Sequence, residues 1–333
     1  MSNIAPALLS SVIMIALGAA LSPAPVHADQ ARTFVSAATG NDGGGTNVDC
    51  LRLSPCKTFA QAAAHTLANG EITVLDPGGY GAVTITQNIS IVNDGVGEAG
   101  ILVSGGVTGV HVNAAGAAVT LRGLTIKGIG FGGGNGIVVD AASALNVENC
   151  TIRNLDGPGN GIVFQPTAIQ PTTGTAHLTV TNSTITDNSF AGIKVAPTGA
   201  AVVSAVINGA GLHGNGLLGL QVLGAGTGKA RVEMTDSTVS NNGHMSAGGG
   251  GVFVQSTATQ TNLLLVRTVI ASNQGTGVQA DGGATTVLIS ESTVKSNSIG
   301  LSATAGSVIN TYGENLVFDN VSSPGPLTPI LKQ

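Results

Sequence analysis

The chain has 333 residues, of which 42% are hydrophobic and only 9% charged, and its net charge is −5. A disordered chain shows the reverse balance, and nucleic-acid binding needs a basic patch that the scattered Lys and Arg do not form. Glycine, at 50 residues, follows no strict third-residue period, which excludes collagen.

The N-terminal stretch ALLSSVIMIALGAALS is an apolar core, and SPAPVHA after it places Val26 and Ala28 at the −3 and −1 positions of an export cleavage site. Residues 1–28 are therefore expected to be a signal peptide, although no Lys or Arg precedes the apolar run. The run is shorter than the ~20 residues a membrane span needs, and no later segment has that character. The mature chain is expected to be exported, periplasmic or extracellular, with no stable membrane span after cleavage.

Residues 29–70 begin with a leading strand and a Gly-rich loop, RTFVSAATGNDGGG. In an oxidising compartment Cys50 and Cys56 of CLRLSPC are expected to form a disulfide that pins a loop. KTFAQAAAHTLANG then reads as a helix ending at Gly70, with Phe59, Ala62, Ala63 and Leu67 on one face.

From residue 71 to about 320 the sequence repeats. Seven aliphatic anchors, Ile126, Ile152, Ile185, Leu212, Val239, Ile270 and Val294, follow one another at intervals of 26, 33, 27, 27, 31 and 24 residues. Apolar or small residues recur seven and five places before each anchor, as in Leu178 and Val180 before Ile185. A glycine-led apolar pair follows, as in Gly192-Ile193 and Gly219-Leu220. Each copy thus holds three short runs of two-residue period, which means strand. Three strands and three corners per copy describe one turn of a parallel β-helix, in which each strand pairs with its own copy in the next coil.

Three places after the anchors stand Asn188, Asn215, Asn242, Asn273 and Asn297, a structural ladder whose residues tolerate left-handed backbone and whose amides can bond along the stack. Three places before them, Asp236, Arg267 and Glu291 are expected to stack as an exposed ladder of alternating charge. Cys150 occupies a position filled elsewhere by Ser and Ala, which suits a small buried filler. An open solenoid end needs a cover; the helix before Gly70 is placed to plug one end, and the Pro-rich residues 321–333 to cover the other.

FVSAATGND, PCKTFAQAAAHTLANGEITVLDPGGYGAVTIT and the NSTITDNSFAGIKV repeats together resemble bacterial exported right-handed parallel β-helix proteins of the pectin-lyase-like superfamily. The resemblance spans nearly all of the mature chain. It implies an all-β, single-stranded right-handed parallel β-helix with a short N-terminal capping helix. It also implies polysaccharide lyases, hydrolases and epimerases as functional relatives. The paired aspartates and Gly-His-Gly of the hydrolase branch are missing, since LHGNG offers only His213. The acidic cluster of the calcium-dependent branch is missing too.

In that fold the ligand groove lies over the glycine-led strand. Its outward positions are read as Val138 and Asp140, Val163 and Gln165, Lys194 and Ala196, Gln221 and Leu223, Phe253 and Gln255, Gln279 and Asp281, and Ser302 and Thr304. Lys194, Gln165, Gln221, Phe253 and Gln255 form the candidate binding groove, with Asp187 as an alternative partner for Lys194. His65, His111, His177, His213 and His244 show no metal-ligand spacing, so no metal and no cofactor is expected. The leading expectation is an exported solenoid presenting an extended surface to polysaccharide, with no catalytic constellation. The alternative is a polysaccharide lyase or glycoside hydrolase with loop-borne active residues. A remote third reading, ice binding, rests on the outward Thr column Thr125, Thr151, Thr184, Thr238 and Thr293.

Overall fold

The structure, a computed structural model, describes residues 30–43, 49–129, 132–157, 159–167, 174–224, 226–245, 248–322, 325 and 327–331. The expected signal peptide lies outside the described residues, as do parts of the loops 165–177 and 240–250 and of the tail 321–333.

The described strands form three parallel sheets of twelve, nine and ten strands, and each coil contributes in turn to all three. The repeat sets this arrangement. Ile126 pairs with Ile152, Ile152 with Ile185, Ile185 with Leu212, Leu212 with Val239, Val239 with Ile270 and Ile270 with Val294. All seven anchors are fully buried, and so are the columns that precede them on the twelve-stranded sheet, Val119 to Val287 and Leu121 to Ile289. Complete burial of one such side chain is worth ~1.5–3 kcal/mol against leaving it in water, an upper value because the unfolded chain is itself partly collapsed. The core is thus a set of stacked aliphatic columns running along the helix axis.

The Asn ladder is built differently from its expected form. The residue before each Asn takes the left-handed turn: Asp187, Asn241, Ser272 and Ser296 have φ between 54° and 57°, and Gly214 has φ 60°. The Asn residues are buried and serve as rungs. Each Nδ2 donates to the next Oδ1, from Asn188 to Asn215, Asn242, Asn273, Asn297 and finally Asn320, at 2.9–3.0 Å. Each Nδ2 also donates back to a carbonyl of the coil below, as Asn242 does to Leu212 O at 3.0 Å. The glycine-led positions exist because of this stack. A Cβ on Gly219 would lie 3.0 Å from Asn242 Nδ2 and 2.9 Å from Gly251 O, and one on Gly277 2.8 Å from Asn297 Nδ2.

The second corner also uses left-handed backbone, at Asn149, Asn182, Asp236, Arg267 and Glu291. Arg267 grips Asp236 in a two-pronged ion pair of 2.7 and 2.9 Å, and the nearby Glu291 charge adds to the attraction. Cys150 is buried in the column that holds Ser183, Ala210 and Ser237, with its N–H donated to Ser183 Oγ at 3.1 Å. Burial pushes its thiol up to about 11.

At the N-terminal end the helix is shorter than expected. It runs Phe59–His65 rather than to Gly70, with Thr58 Oγ1 accepting from Gln61 N. Thr66–Val74 is instead a strand, because Thr66 and Gly70 are claimed by Gln30 and Ile89 in the twelve-stranded sheet. Cross-strand pairing overrides a weak helical preference there. Leu67 consequently leaves the apolar face and is 45% exposed, while Phe59 packs on Tyr80 with ring centroids 5.0 Å apart. Cys50 and Cys56 are joined in a disulfide beside this cap. Asp76 ties it to the leading strand by accepting from Ala37 N at 2.7 Å, Tyr80 Oη at 2.8 Å and Ser36 Oγ. At the other end, Thr328–Pro329 adds one short strand to the twelve-stranded sheet, whereas Leu316 and Phe318 at the edge of the ten-stranded sheet stay exposed.

Candidate functional site

The nine-stranded sheet carries one unbroken outward row: Thr84, His111, Val138, Val163, Lys194, Gln221, Phe253, Gln279 and Ser302 are partners in register. The row coincides with the outward positions read from the repeat. Beside it, Leu223, Gln255, Asp281 and Thr304 make a second row. Strands in a sheet lie ~4.8 Å apart, so Lys194, Gln221 and Phe253 span roughly 10 Å along the helix axis. Val138 and Val163 stand in the outward row yet are only 8% and 5% exposed, which gives this face an apolar stretch between His111 and Lys194.

Two carboxylates organise the amides. Gln165 Nε2 donates to Asp140 Oδ1 at 2.9 Å, and His111 Nε2 lies 2.8 Å from Asp140 Oδ2. Asp140 reaches His111 through a β-bulge, since Val139 and Ala141 pair with the consecutive residues Val112 and Asn113. Such an extra residue re-aims a side chain. Burial works against the Asp140 charge, but the hydrogen bonds from Gln165 and His111 outweigh it and hold the carboxyl below its usual range. Further along, Gln255 Nε2 and Thr304 Oγ1 both donate to Asp281 at 2.7 Å, and these bonds lower its pKa. With the donor ends of Gln165 and Gln255 held, their carbonyl ends are free to accept from a ligand.

Lys194 is half-buried and has no ion-pair partner among the described residues. Asp187 does not pair with it. That carboxylate accepts from Thr186 Oγ1 at 2.9 Å and acts on His213, whose pKa burial lowers against the Asp187 charge. His213 itself hydrogen-bonds Ser240 at 2.8 Å and lies over Gly211, where a Cβ would meet Nε2 at 2.4 Å. This explains the break at Gly211 in the outward Thr column.

The five proposed groove residues therefore share one face, with Lys194, Gln221 and Phe253 consecutive. The His111–Asp140 pair was not foreseen. The bulge that brings Asp140 to His111 lies outside the two-residue period of the repeat. Among the described residues no three of His, Cys, Asp and Glu gather as a metal site. Asp140 and Asp281 are five coils apart, roughly 24 Å, whereas a two-carboxylate glycosidase needs about 5–9.5 Å. Spaced amides, one cation and one aromatic ring on a long flat face can hold an extended, hydroxyl-rich chain.

The sequence family described as right handed beta helix region matches residues 168–324. No curated protein matches the chain. Among solved structures, pectate lyase Pel9A is similar at a TM-score of 0.62 and 16% identity, over 85% of this chain and 75% of that one. The GH136 lacto-N-biosidase from Eubacterium ramulus is similar at a TM-score of 0.58 and 14% identity, over 90% of this chain and 68% of that one. At such identities the likeness speaks for the fold. With the matched repeats and the three parallel sheets, it makes the fold of this chain a right-handed parallel β-helix.

Proposed function

We propose that the protein is exported and binds an extended polysaccharide along the nine-stranded sheet, without turning it over. The observation that carries this reading is the row Lys194–Gln221–Phe253, flanked by the two Gln–carboxylate pairs. Lys194 attracts an acidic or hydroxylated sugar, the glutamine carbonyls accept from hydroxyls, and the Phe253 ring offers an apolar face to a pyranose. Affinity electrophoresis of the full chain in gels containing polygalacturonate, arabinoxylan or galactomannan tests it. Lys194→Ala and Phe253→Ala are each expected to weaken retention about tenfold, equivalent to ~1.4 kcal/mol. Unchanged retention in both variants would remove the groove.

A second reading, glycan processing by a lyase or hydrolase, is favoured by one observation, the Asp140-anchored imidazole of His111 on the same face. A carboxylate that orients a histidine is a common element of acid–base catalysis. Under this reading, incubation with the same polymers, with and without calcium, releases unsaturated or reducing ends, and His111→Ala stops the release. Under the binding reading no product forms.

A further inference from the structure

The corner that leads into the groove strand varies in length. It covers residues 154–161 in the coil of Ile152, only 187–190 and 214–217 in the next two coils, and 241–249 in the coil of Val239. Two short corners between two long ones leave a notch about three coil steps wide, roughly 14 Å at the usual strand spacing. The notch has a volume of about 490 Å³. Asp156 lines one wall, Asp187 and Ser189 the floor, and His244 and Met245 the other wall. The two short corners run straight into Ala191–Val195 and Leu218–Gly224, which carry Lys194 and Gln221. Phe190 and the strand residues Ala191 to Ile193 separate Ser189 on the notch floor from Lys194, about 16 Å of extended chain. The notch therefore flanks the middle of the outward row.

Its chemistry differs from that of the groove. The charged groups lining it are two carboxylates, with no Lys or Arg. Asp156 Oδ1 accepts from Gly157 N at 2.8 Å, and its Oδ2 has no partner among the described residues. Met245 is pinned by its N–H to Gly216 O at 3.0 Å and lays its sulfur over that glycine, where a Cβ would meet it at 2.7 Å. Met245 is nevertheless 63% exposed. Carboxylates accept from sugar hydroxyls and repel uronates, while a thioether suits the C–H face of a pyranose.

We infer that the notch binds a neutral, hydroxyl-rich branch sugar of a polysaccharide whose main chain lies along the groove, an inference that rests on the binding reading above. The test compares retention of the full chain by arabinoxylan, galactomannan and galactan-branched rhamnogalacturonan, each before and after enzymatic removal of its branches. At least one polymer is expected to lose about tenfold in retention on trimming. Met245→Ala and Asp187→Asn should erase that difference while leaving the trimmed polymer's retention unchanged; Asn suits the left-handed backbone at 187, so folding is not at risk. Equal retention of branched and trimmed forms of every polymer overturns the notch and leaves the groove standing. An equal effect of the two variants on both forms also overturns it. Retention of neither these six polymers nor polygalacturonate overturns both readings.

Discussion

Asn242→Ala removes the central rung of the ladder. The wild-type amide donates to Asn273 Oδ1 and Leu212 O, each at 3.0 Å, and accepts from Asn215 N at 2.9 Å and Asn215 Nδ2 at 3.0 Å. Some partners survive its loss: Asn215 Nδ2 keeps Ile185 O, and Asn273 Oδ1 keeps Asn242 N. Asn215 N and Leu212 O lose their side-chain partner in a fully buried setting. Four lost bonds at ~1 kcal/mol each give a destabilisation of about 4 kcal/mol. Asn320 accepts from Asn297 and donates to Val294 O in the same way, but it donates to no further rung and is partly open to water, so Asn320→Ala is expected to cost only ~1 kcal/mol. Urea unfolding followed by far-ultraviolet circular dichroism measures both. Since the urea slope of a chain this long exceeds the ~1–3 kcal/mol/M of small proteins, the Asn242→Ala midpoint should fall by roughly 1 M. Equal losses at the two positions, or a loss below ~1 kcal/mol at Asn242, would refute the view that the buried amides act as a load shared between coils.

Gly219→Ala drives a methyl to within 2.4 Å of Val239 Cγ1 and 2.9 Å of Gly251 O, so a cost of ~1–3 kcal/mol and a lower melting temperature are expected in a thermal scan. Cys150→Ser places in the column the residue found at 183 and 237, and should change stability by less than ~1 kcal/mol. The wild-type thiol, buried and raised to about 11, should react with a disulfide reagent only after unfolding. Burial raises the Asp76 carboxyl, but bonds from Ser36, Tyr80, Ala37 and Ala38 prevail and lower it. Its stabilisation is therefore complete above the ordinary carboxylate value of 3.8 and lost as pH falls through the lowered one, so Asp76→Asn should flatten the acid limb of a plot of unfolding midpoint against pH.

The coil interior was legible because each residue's partner is its own copy one repeat away. Aligning the sequence with itself sets the register, and Ile185 against Leu212 needed nothing more. The outward row from Val138 to Ser302 followed from the same alignment. What the repeat does not encode was harder to see. The helix stops at His65 because strands begun elsewhere, at Gln30 and Ile89, compete for Thr66 and Gly70. The His111–Asp140 contact depends on a bulge, which shifts the period by one and so escapes a period-based reading. Asn320 closes the ladder in the coil of Val317, beyond the last anchor recognised in the sequence. The Asn side chains stack on one another while the left-handed turn belongs to their predecessors, a division of labour that residue preferences alone do not resolve.

The anchors are separated by anything from 24 to 33 residues, yet they meet in strict one-to-one pairs. Extra length is absorbed wholly in bends such as 154–161 and 241–249. Surface relief is thus specified mostly by bend residues that leave the interior pairs untouched, with Leu155 and Asn242 the bend residues that belong to the interior. An engineer can lengthen, shorten or exchange the outer part of either bend to reshape the surface there, provided that Leu155 and Asn242 keep their places inside.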